Sequence, residues 1–338
     1  MTGAQAVQPG AAVARRGLRI ALAFAAAFVV AEGLRSDLQL TFIAPLVAGM
    51  MASAAPAPVG MVLALPVIAW LLVAAAGYAL LFLGGMPLVL CLLGLCVFRA
   101  GFGLLGQARK APLGLLTLVI FGIIPQTLVK APELSADLAR WLALNVAIAA
   151  GCELVTRWLL PDPARPAPAQ GAPQLPPLFA AAALLLGVML TATLQLPAPG
   201  AVVIGIVIVL RADGESAVNV IRDRFLGALL GGAAAVAVWE VIWLAPDLSV
   251  LATATLCAAW VFASRIAAGG PMRGLHVKSL NVLAILLGEG FSIFYDDTED
   301  RVWTRIAGVA LGLGYAALVH VVARNWRTRR SRLQPATT

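Results

Sequence analysis

Charged residues are scarce in this chain of 338 residues: they make up 12% of it, whereas hydrophobic residues make up 61%. A soluble domain typically carries about 25% charged residues. The apolar surplus runs along the whole chain, and the alternation of polar and apolar residues that is typical of strands is missing. These absences argue against a soluble domain and against a β-barrel, and they predict an all-α, polytopic transmembrane helical bundle.

Residues that support catalysis, metal binding or nucleotide binding are also few. The two histidines, His276 and His320, are isolated, and the four cysteines lie in apolar segments without forming a CxxC pair. We therefore predict no metal site, no disulfide framework, no cofactor and no enzymatic activity. No GxxxxGK[ST] motif for phosphate binding occurs, which excludes an ATP-driven pump that acts alone.

Negative charge is the rarer sign, and the chain has a formal net charge of +8. Such a balance can indicate nucleic-acid binding, but here the charges lie between apolar spans, where lysine and arginine set membrane orientation. We therefore predict the lipid bilayer as a partner and no nucleic acid. The basic and apolar start "ARRGLRIALAFAAAFVVAEG" resembles a signal peptide. Because no convincing cleavage site follows it, we expect a retained first helix.

Twelve apolar stretches are predicted as membrane spans. A proline- and alanine-rich run, "PDPARPAPAQGAPQLPP", separates the sixth from the seventh and predicts a stiff cytoplasmic linker. The chain is thus divided into a first six-helix repeat at 1–160, the linker at 161–177, and a second six-helix repeat at 178–338 that ends in a basic tail. Two spans are short or broken by proline, so ten spans with two re-entrant segments is the alternative. The predicted spans are 17–34, 38–55, 60–83, 87–105, 112–130, 138–159, 178–195, 199–212, 218–244, 248–266, 275–294 and 302–325.

The distribution of lysine and arginine tests this count. With the N-terminus inside and twelve alternating spans, 19 of the 24 lysine and arginine residues fall on the cytoplasmic side. This is the bias that the positive-inside rule expects. The acidic loop "YDDTED" at 295–300 falls on the opposite side. The distribution therefore predicts that both termini are cytoplasmic.

One pattern, an arginine followed by small residues three and seven positions later, occurs three times. It occurs as Arg224 with Gly227 and Gly231, as Arg305 with Gly308 and Gly312, and as Arg140 with Ala143 and Ala147. Because the small residues lie one turn apart on one face, another helix can approach closely there. The last spans of both halves share the pattern, which favours two repeats related by an axis along the membrane normal.

The arginines of this pattern have two interpretations. By the predicted topology, Arg224 lies at the inner end of its helix, and Arg140 and Arg305 lie at the outer ends of theirs. Each arginine either anchors a helix end at the membrane boundary or binds an anion on a transport pathway. On the second interpretation, Asp213 and Asp223 neutralise Arg224 when no anion is bound.

Polar residues within the spans complete the set of candidates, because burying charge in lipid is costly and often functional. Glu153 precedes Arg157 by four residues, so it is either half of a helical ion pair or a proton-coupling carboxylate. Glu289 is either interfacial or a second coupling carboxylate. Asn145 and Asn219 either line a substrate pathway or form hydrogen bonds between helices.

These residues resemble a known family. "IRDRFLGALLGG" looks like the Arg-x-x-Gly-x-x-x-Gly motif of the fusaric acid resistance (FUSC) and aromatic acid exporter superfamily. "EDRVWTRIAGVALGLGYAALVH" is similar to the final helix of that superfamily's repeat. "LRIALAFAAAFVVAEGLRSDLQLTFIAPLVAGMMASAAPAP" resembles the opening of its DUF2955 branch, including a break at Pro45. The chain departs from the pattern at Ala228, where threonine is usual, and in having only a short linker where many relatives carry a cytoplasmic domain.

The resemblance implies a multi-pass exporter of small organic, often aromatic carboxylic, acids in the bacterial inner membrane. It implies drive by the proton gradient, a periplasmic membrane-fusion adaptor with an outer-membrane channel as partners, and association of several copies of the chain as an option. The alternatives are a passive organic-anion channel, which the same resemblance also allows, and a non-transporting scaffold subunit. A carboxylate that titrates during transport would distinguish the exporter from the channel.

Overall fold

The computed structural model describes residues 10–34, 41–53, 57–107, 110–128, 135–161, 175–196, 199–211, 214–290 and 298–333. Within these residues the chain forms twelve α-helices and no strand. The helices are α1 (Gly10–Gly33), α2 (Ile43–Ser53), α3 (Val59–Leu83), α4 (Pro87–Leu105), α5 (Ala111–Leu128), α6 (Ser135–Leu159), α7 (Pro177–Thr193), α8 (Pro199–Arg211), α9 (Gly214–Leu244), α10 (Leu248–Ala268), α11 (Arg273–Gly290) and α12 (Thr298–Leu333).

A helix lies at each of the twelve predicted spans, so the all-helical class is confirmed. Among the described residues, five helices are long and apolar enough to cross a membrane, and they indicate a multi-pass membrane protein. They contain the segments Val59–Leu83, Pro87–Leu105, Ala136–Leu159, Ile221–Leu244 and Leu248–Ala268. Proline marks several helix starts, as at Pro87 and Pro177, because a first-turn residue needs no backbone N–H. The number of crossings and the side of each terminus stay predictions.

The two spans that were hardest to predict form the two shortest helices, α2 with 11 residues and α8 with 13. At 1.5 Å per residue, α2 rises only about 16 Å and α8 about 20 Å, less than the hydrocarbon core of about 30 Å.

Contacts at both ends of α2 align it with α11. Thr41, just before α2, donates to Gly288 O, and Ser53 at its end accepts from Arg273. α2 is therefore antiparallel to α11 along most of its length.

The helices group into two compact units, and each unit draws on both halves of the sequence. The first unit comprises Met1–Trp70, Leu138–Pro168 and Leu226–Thr298. In it, α1 packs against α2 and α10, and α11 packs against α2 and α10. Small residues permit these close contacts: a Cβ on Gly17 of α1 would lie 3.2 Å from Ser264 Cα of α10. The core is filled by buried side chains such as Phe24 and Leu280.

The second unit comprises Leu71–Asp137, Ala169–Phe225 and Glu299–Thr338. In it, α7 packs against α8 and α4, and α5 packs against α8 and α4. Its core is an apolar cluster that includes Phe102, Leu118 and Ile206. The packing pattern therefore repeats that of the first unit, with α7, α8, α4 and α5 in place of α1, α2, α10 and α11.

Each unit thus combines the first two helices of one sequence half with the fourth and fifth helices of the other. The two repeats predicted at 1–160 and 178–338 are consecutive in the chain, whereas each packed unit contains helices from both of them. Most of the predicted linker, residues 162–174, lies outside the described residues. Which helices pack together could not be predicted from apolar periodicity, because periodicity identifies helices but not their neighbours.

Candidate functional site

The C-terminal end of α2 in the first unit is surrounded by arginines. Arg19 of α1 donates to Ala52 O over 3.0 Å, and Arg16 donates to Ser53 O over 3.4 Å. Arg273, the first residue of α11, donates to the same Ser53 O over 2.9 Å. Because Arg16 and Arg273 share one acceptor, their donating nitrogens lie no more than about 6.3 Å apart, the combined length of the two hydrogen bonds.

The local chemistry of α2 explains why arginines gather there. The last carbonyl groups of an α-helix have no partner within the helix, and the macrodipole places about half a negative charge at that end. The one polar side chain in the α2 sequence "IAPLVAGMMAS", Ser53, donates to Met50 O, so no side chain of α2 is left to serve Ala52 O and Ser53 O. Guanidinium groups from α1 and α11 satisfy these carbonyls instead.

A glutamate and a fourth arginine from α6 join this group. Glu153 is only 3% exposed and interacts electrostatically with Arg19 and Arg157. Arg157 is half-buried and donates to Ala57 O over 2.7 Å, in the connection between α2 and α3. No hydrogen bond reaches Glu153 Oε2 from the described part of the chain. The carboxylate is therefore held there by charge rather than by a fixed geometry at both oxygens.

We call Arg16, Arg19, Arg157 and Arg273 the arginine cluster. Arg16 and Arg19 are 5% and 1% exposed, whereas Arg157 and Arg273 are half-buried. The cluster therefore extends from two half-buried arginines, Arg157 and Arg273, to the fully buried Arg19. With Glu153 it carries four formal positive charges and one negative charge among its five side chains.

Sequence reasoning missed this cluster as a site. Arg16, Arg19 and Arg273 were interpreted only as markers of the cytoplasmic side, and Arg157 only as a helical partner of Glu153. The available signal was Arg19, which lies two residues inside the predicted span 17–34. An arginine inside a span is costly in lipid and calls for a buried partner.

Arg224, the arginine favoured from the sequence, is also buried, at 7% exposed. It lies on α9, in the apolar segment Ile221–Leu244. Asp223, predicted to neutralise it, forms an ion pair of 3.2 Å with the exposed Arg222. Asp213 lies outside the described residues.

The glycines that follow Arg224 pack closely against α11. A Cβ on Gly227 would lie 2.8 Å from Lys278 Cβ, and one on Gly231 would overlap Ser279 O. In the second unit a Cβ on Gly312 of α12 would lie 2.5 Å from Val202 O of α8. Gly308 is buried as well. These contacts are of the kind that small residues permit between membrane helices.

The other predicted site residues are dispersed. Asn145 is 2% exposed and donates to Trp141 O within α6, while its Oδ1 has no hydrogen-bond partner among the described residues. Arg140 and Asn219 are exposed. The side chains of Arg305 and Glu289 lie outside the part of the chain whose side chains are described. The structure thus places Glu153 beside the arginine cluster and Asn145 eight residues earlier on the same helix.

Comparison of the chain with protein-family models, with curated proteins and with solved structures finds no match.

Proposed function

We propose that this protein is a transporter in the bacterial inner membrane that exports small organic acids, with aromatic carboxylic acids as the expected class. The observation that carries this proposal is the arginine cluster, buried with Glu153 in helices that are otherwise apolar. Ionisable residues at membrane depth are expensive to bury, and they commonly mark a substrate or ion pathway. Guanidinium groups match the geometry of a carboxylate, which favours an anionic substrate.

Glu153 is the residue we propose for coupling export to the proton gradient. It is the carboxylate that interacts with Arg19 and Arg157, and its Oε2 has no hydrogen-bond partner among the described residues. A substrate anion that arrives beside it would favour its protonated form, because two adjacent carboxylates repel each other. Substrate binding and the protonation state of Glu153 are then linked.

The partners we propose are those that the family resemblance implies, a periplasmic membrane-fusion adaptor and an outer-membrane channel. In this arrangement the chain supplies the inner-membrane step and the adaptor continues the path outward. The resemblance of the Arg224 segment to the FUSC superfamily supports this arrangement, and so does the predicted cytoplasmic location of both termini. A second copy of the chain is a further expected partner.

Purified protein in liposomes loaded with 4-hydroxybenzoate tests the proposal. We expect efflux that is accelerated by acidifying the outside, abolished by a protonophore and absent from protein-free vesicles, which measure passive leak of the neutral acid. Glu153→Gln should reduce the proton-dependent part at least about tenfold, equivalent to about 1.4 kcal/mol. Glu240→Gln, which changes an exposed glutamate on α9, is the matched control and should leave efflux unchanged.

Two results would redirect the proposal. Efflux that follows only the electrochemical gradient of the anion and ignores the protonophore would indicate the passive channel. No efflux above the protein-free background, from protein that remains folded in the vesicles, would favour the scaffold subunit.

A further inference from the structure

We infer that the groove between α9 and α10 is a binding site for one anionic phospholipid, whose acyl chain lies in the groove and whose headgroup pairs with Arg265. The groove lies within the first unit and contains a cavity of about 670 Å³. The inference needs only the membrane character of the two helices and does not depend on the proposed transport activity.

The walls of the groove are small or apolar, and they belong to the two helices alone. Val238 of α9 and Phe262 of α10 are buried and form its floor, whereas Val241 and Val261 are exposed at its rims. Much of the remaining lining is alanine, at Ala234, Ala237, Ala254 and Ala258. Because an alanine side chain ends at Cβ, these positions leave room between two helices that only three residues connect.

The position and length of the groove suit an acyl chain. Both helices are among those long and apolar enough to cross a membrane, so their exposed faces meet hydrocarbon rather than water. Along α10 the lining runs from Ser249 to Phe262, about 20 Å at 1.5 Å per residue. The hydrocarbon of one leaflet is about 15 Å thick, half of the core of about 30 Å. An acyl chain of one leaflet can therefore lie in the groove along its whole length.

A positive charge lies at one end of the groove. Exposed residues recur along α10 at intervals of four, at Ser249, Thr253, Cys257, Val261 and Arg265. The first four line the groove, and the fifth lies one turn beyond it. Because residues four apart share a helix face, Arg265 is placed at the end of the groove. By the predicted topology this end is cytoplasmic.

A negative charge lies at the opposite end, and it fixes the orientation of the lipid. Asp247 accepts a hydrogen bond of 2.7 Å from the backbone N–H of Ser249. This hydrogen bond holds the pKa of Asp247 below its ordinary value, so the carboxylate is charged at neutral pH. A phosphate is repelled by Asp247 and attracted by Arg265. The headgroup therefore belongs at Arg265, and the acyl chain extends from Val261 towards Ser249.

Two other occupants match only part of the site. A helix of a second copy is about 10 Å across, so 20 Å of it takes up about 1,600 Å³. That is more than twice the volume of the cavity. Inorganic phosphate can pair with Arg265, but it has no apolar body for the groove. A phospholipid matches both the apolar cavity and the charge at its end.

Cys257 reports whether the groove is occupied, because it is exposed and lines the groove. Cys96 on α4 is exposed in the second unit and is the internal control. Delipidated protein in detergent micelles is alkylated with N-ethylmaleimide at increasing mole fractions of phosphatidylglycerol, and peptide mass spectrometry follows both cysteines. We expect the lipid to slow alkylation of Cys257 saturably, by at least about fivefold, and to leave Cys96 within about twofold. Phosphatidylcholine, which has no net charge, should need an about fivefold higher mole fraction.

Two variants separate the charge from the cavity. Arg265→Gln should raise the phosphatidylglycerol fraction that half protects Cys257 about fivefold, and Arg222→Gln, at an exposed arginine of α9, should not change it. Ala258→Trp should fill the groove, so it should lose the phosphatidylglycerol molecule that the wild type retains in native mass spectrometry. Ala233→Trp, at an exposed alanine of α9 outside the groove, is the matched control and should retain it.

Several results would overturn the inference: unchanged alkylation of Cys257, equal slowing of Cys96, equal protection by the two lipids, or an Arg265→Gln variant that behaves like the wild type. Protection by inorganic phosphate without lipid would assign Arg265 to a free anion instead. Protection that rises with protein concentration without lipid would assign the groove to a second copy. Should Ala258→Trp fail to fold, Arg265→Gln still decides the outcome, because it changes an exposed side chain.

Discussion

The ends of α2 and α8 are equivalent places in two similarly packed units, and they differ sharply in chemistry. At the end of α2, three arginines donate to the last two carbonyls, and Arg157 donates to Ala57 O a few residues later. At the end of α8, the described side chains are those of an apolar cluster and of His320, whereas the side chain of Arg211, its last residue, lies outside the described part. Both solutions satisfy helix-terminal carbonyls, so capping explains a polar group at each end but not the number of charges at one of them.

The strongest test of this comparison replaces one side chain at each end by glutamine, which keeps an N–H donor but carries no positive charge. We expect Arg19→Gln to lower efflux of 4-hydroxybenzoate about a hundredfold, a loss of about 2.7 kcal/mol, since the most buried guanidinium would no longer meet the anion. His320→Gln should leave efflux within about twofold, because glutamine still offers an N–H to Val209 O. The rates are measured in liposomes at equal protein content, and melting temperatures of both variants check folding. Equal losses in both variants would remove the distinction between the two ends.

The sequence predicted the helices well because apolar runs separated by glycine, proline and charge are local features. "LGGMPLVL", for example, ends α3 and begins α4 as its Gly-Gly and Pro87 predict. It could not predict the arginine cluster, whose members lie at positions 16, 19, 157 and 273. Their meeting depends on the packing of α1, α2 and α11 and on the reach of Arg157 from α6 to Ala57 O, and no local pattern encodes that.

The same limit explains why the sequence favoured Arg224 over Arg19. An arginine near the end of a span satisfies the positive-inside rule whether or not it also binds an anion. The sequence pattern is therefore the same for a topology anchor and for an anion-binding residue. Arg224 attracted attention through the glycines that follow it, whereas Arg19 precedes a run of alanines. Burial distinguishes the roles, and both residues prove to be buried.

The second test substitutes Arg224 and measures whether anion export also depends on an arginine outside the arginine cluster. We expect Arg224→Ala to lower efflux at least about tenfold, equivalent to about 1.4 kcal/mol, with normal abundance in the membrane. Arg224→Lys should recover only part of the rate, since lysine keeps the charge but loses the planar fork that binds a carboxylate at two points. Efflux and membrane abundance are measured on the same preparations. Normal efflux by Arg224→Ala would reduce this arginine to an anchor and leave the cluster of the first unit as the anion site.

The smallest expected effects come from the glycines, where the two units should behave alike. Gly231→Leu in the first unit would force a side chain onto Ser279 O, and Gly312→Leu in the second would force one onto Val202 O. Overpacking of this kind typically costs about 1–3 kcal/mol, so each variant should lower the folded protein in the membrane by about threefold or more. Gly151→Leu on α6 and Gly314→Leu on α12 are the matched controls, because a Cβ there meets nothing within 4 Å.

The amount of folded protein of each glycine variant is measured by size-exclusion chromatography of a fluorescent fusion. Since these glycines act through packing, efflux per folded molecule should change less than abundance. A loss of efflux at normal abundance would instead place Gly231 and Gly312 on the transport pathway. It would also weaken the contrast between the first unit, which holds the arginine cluster, and the second.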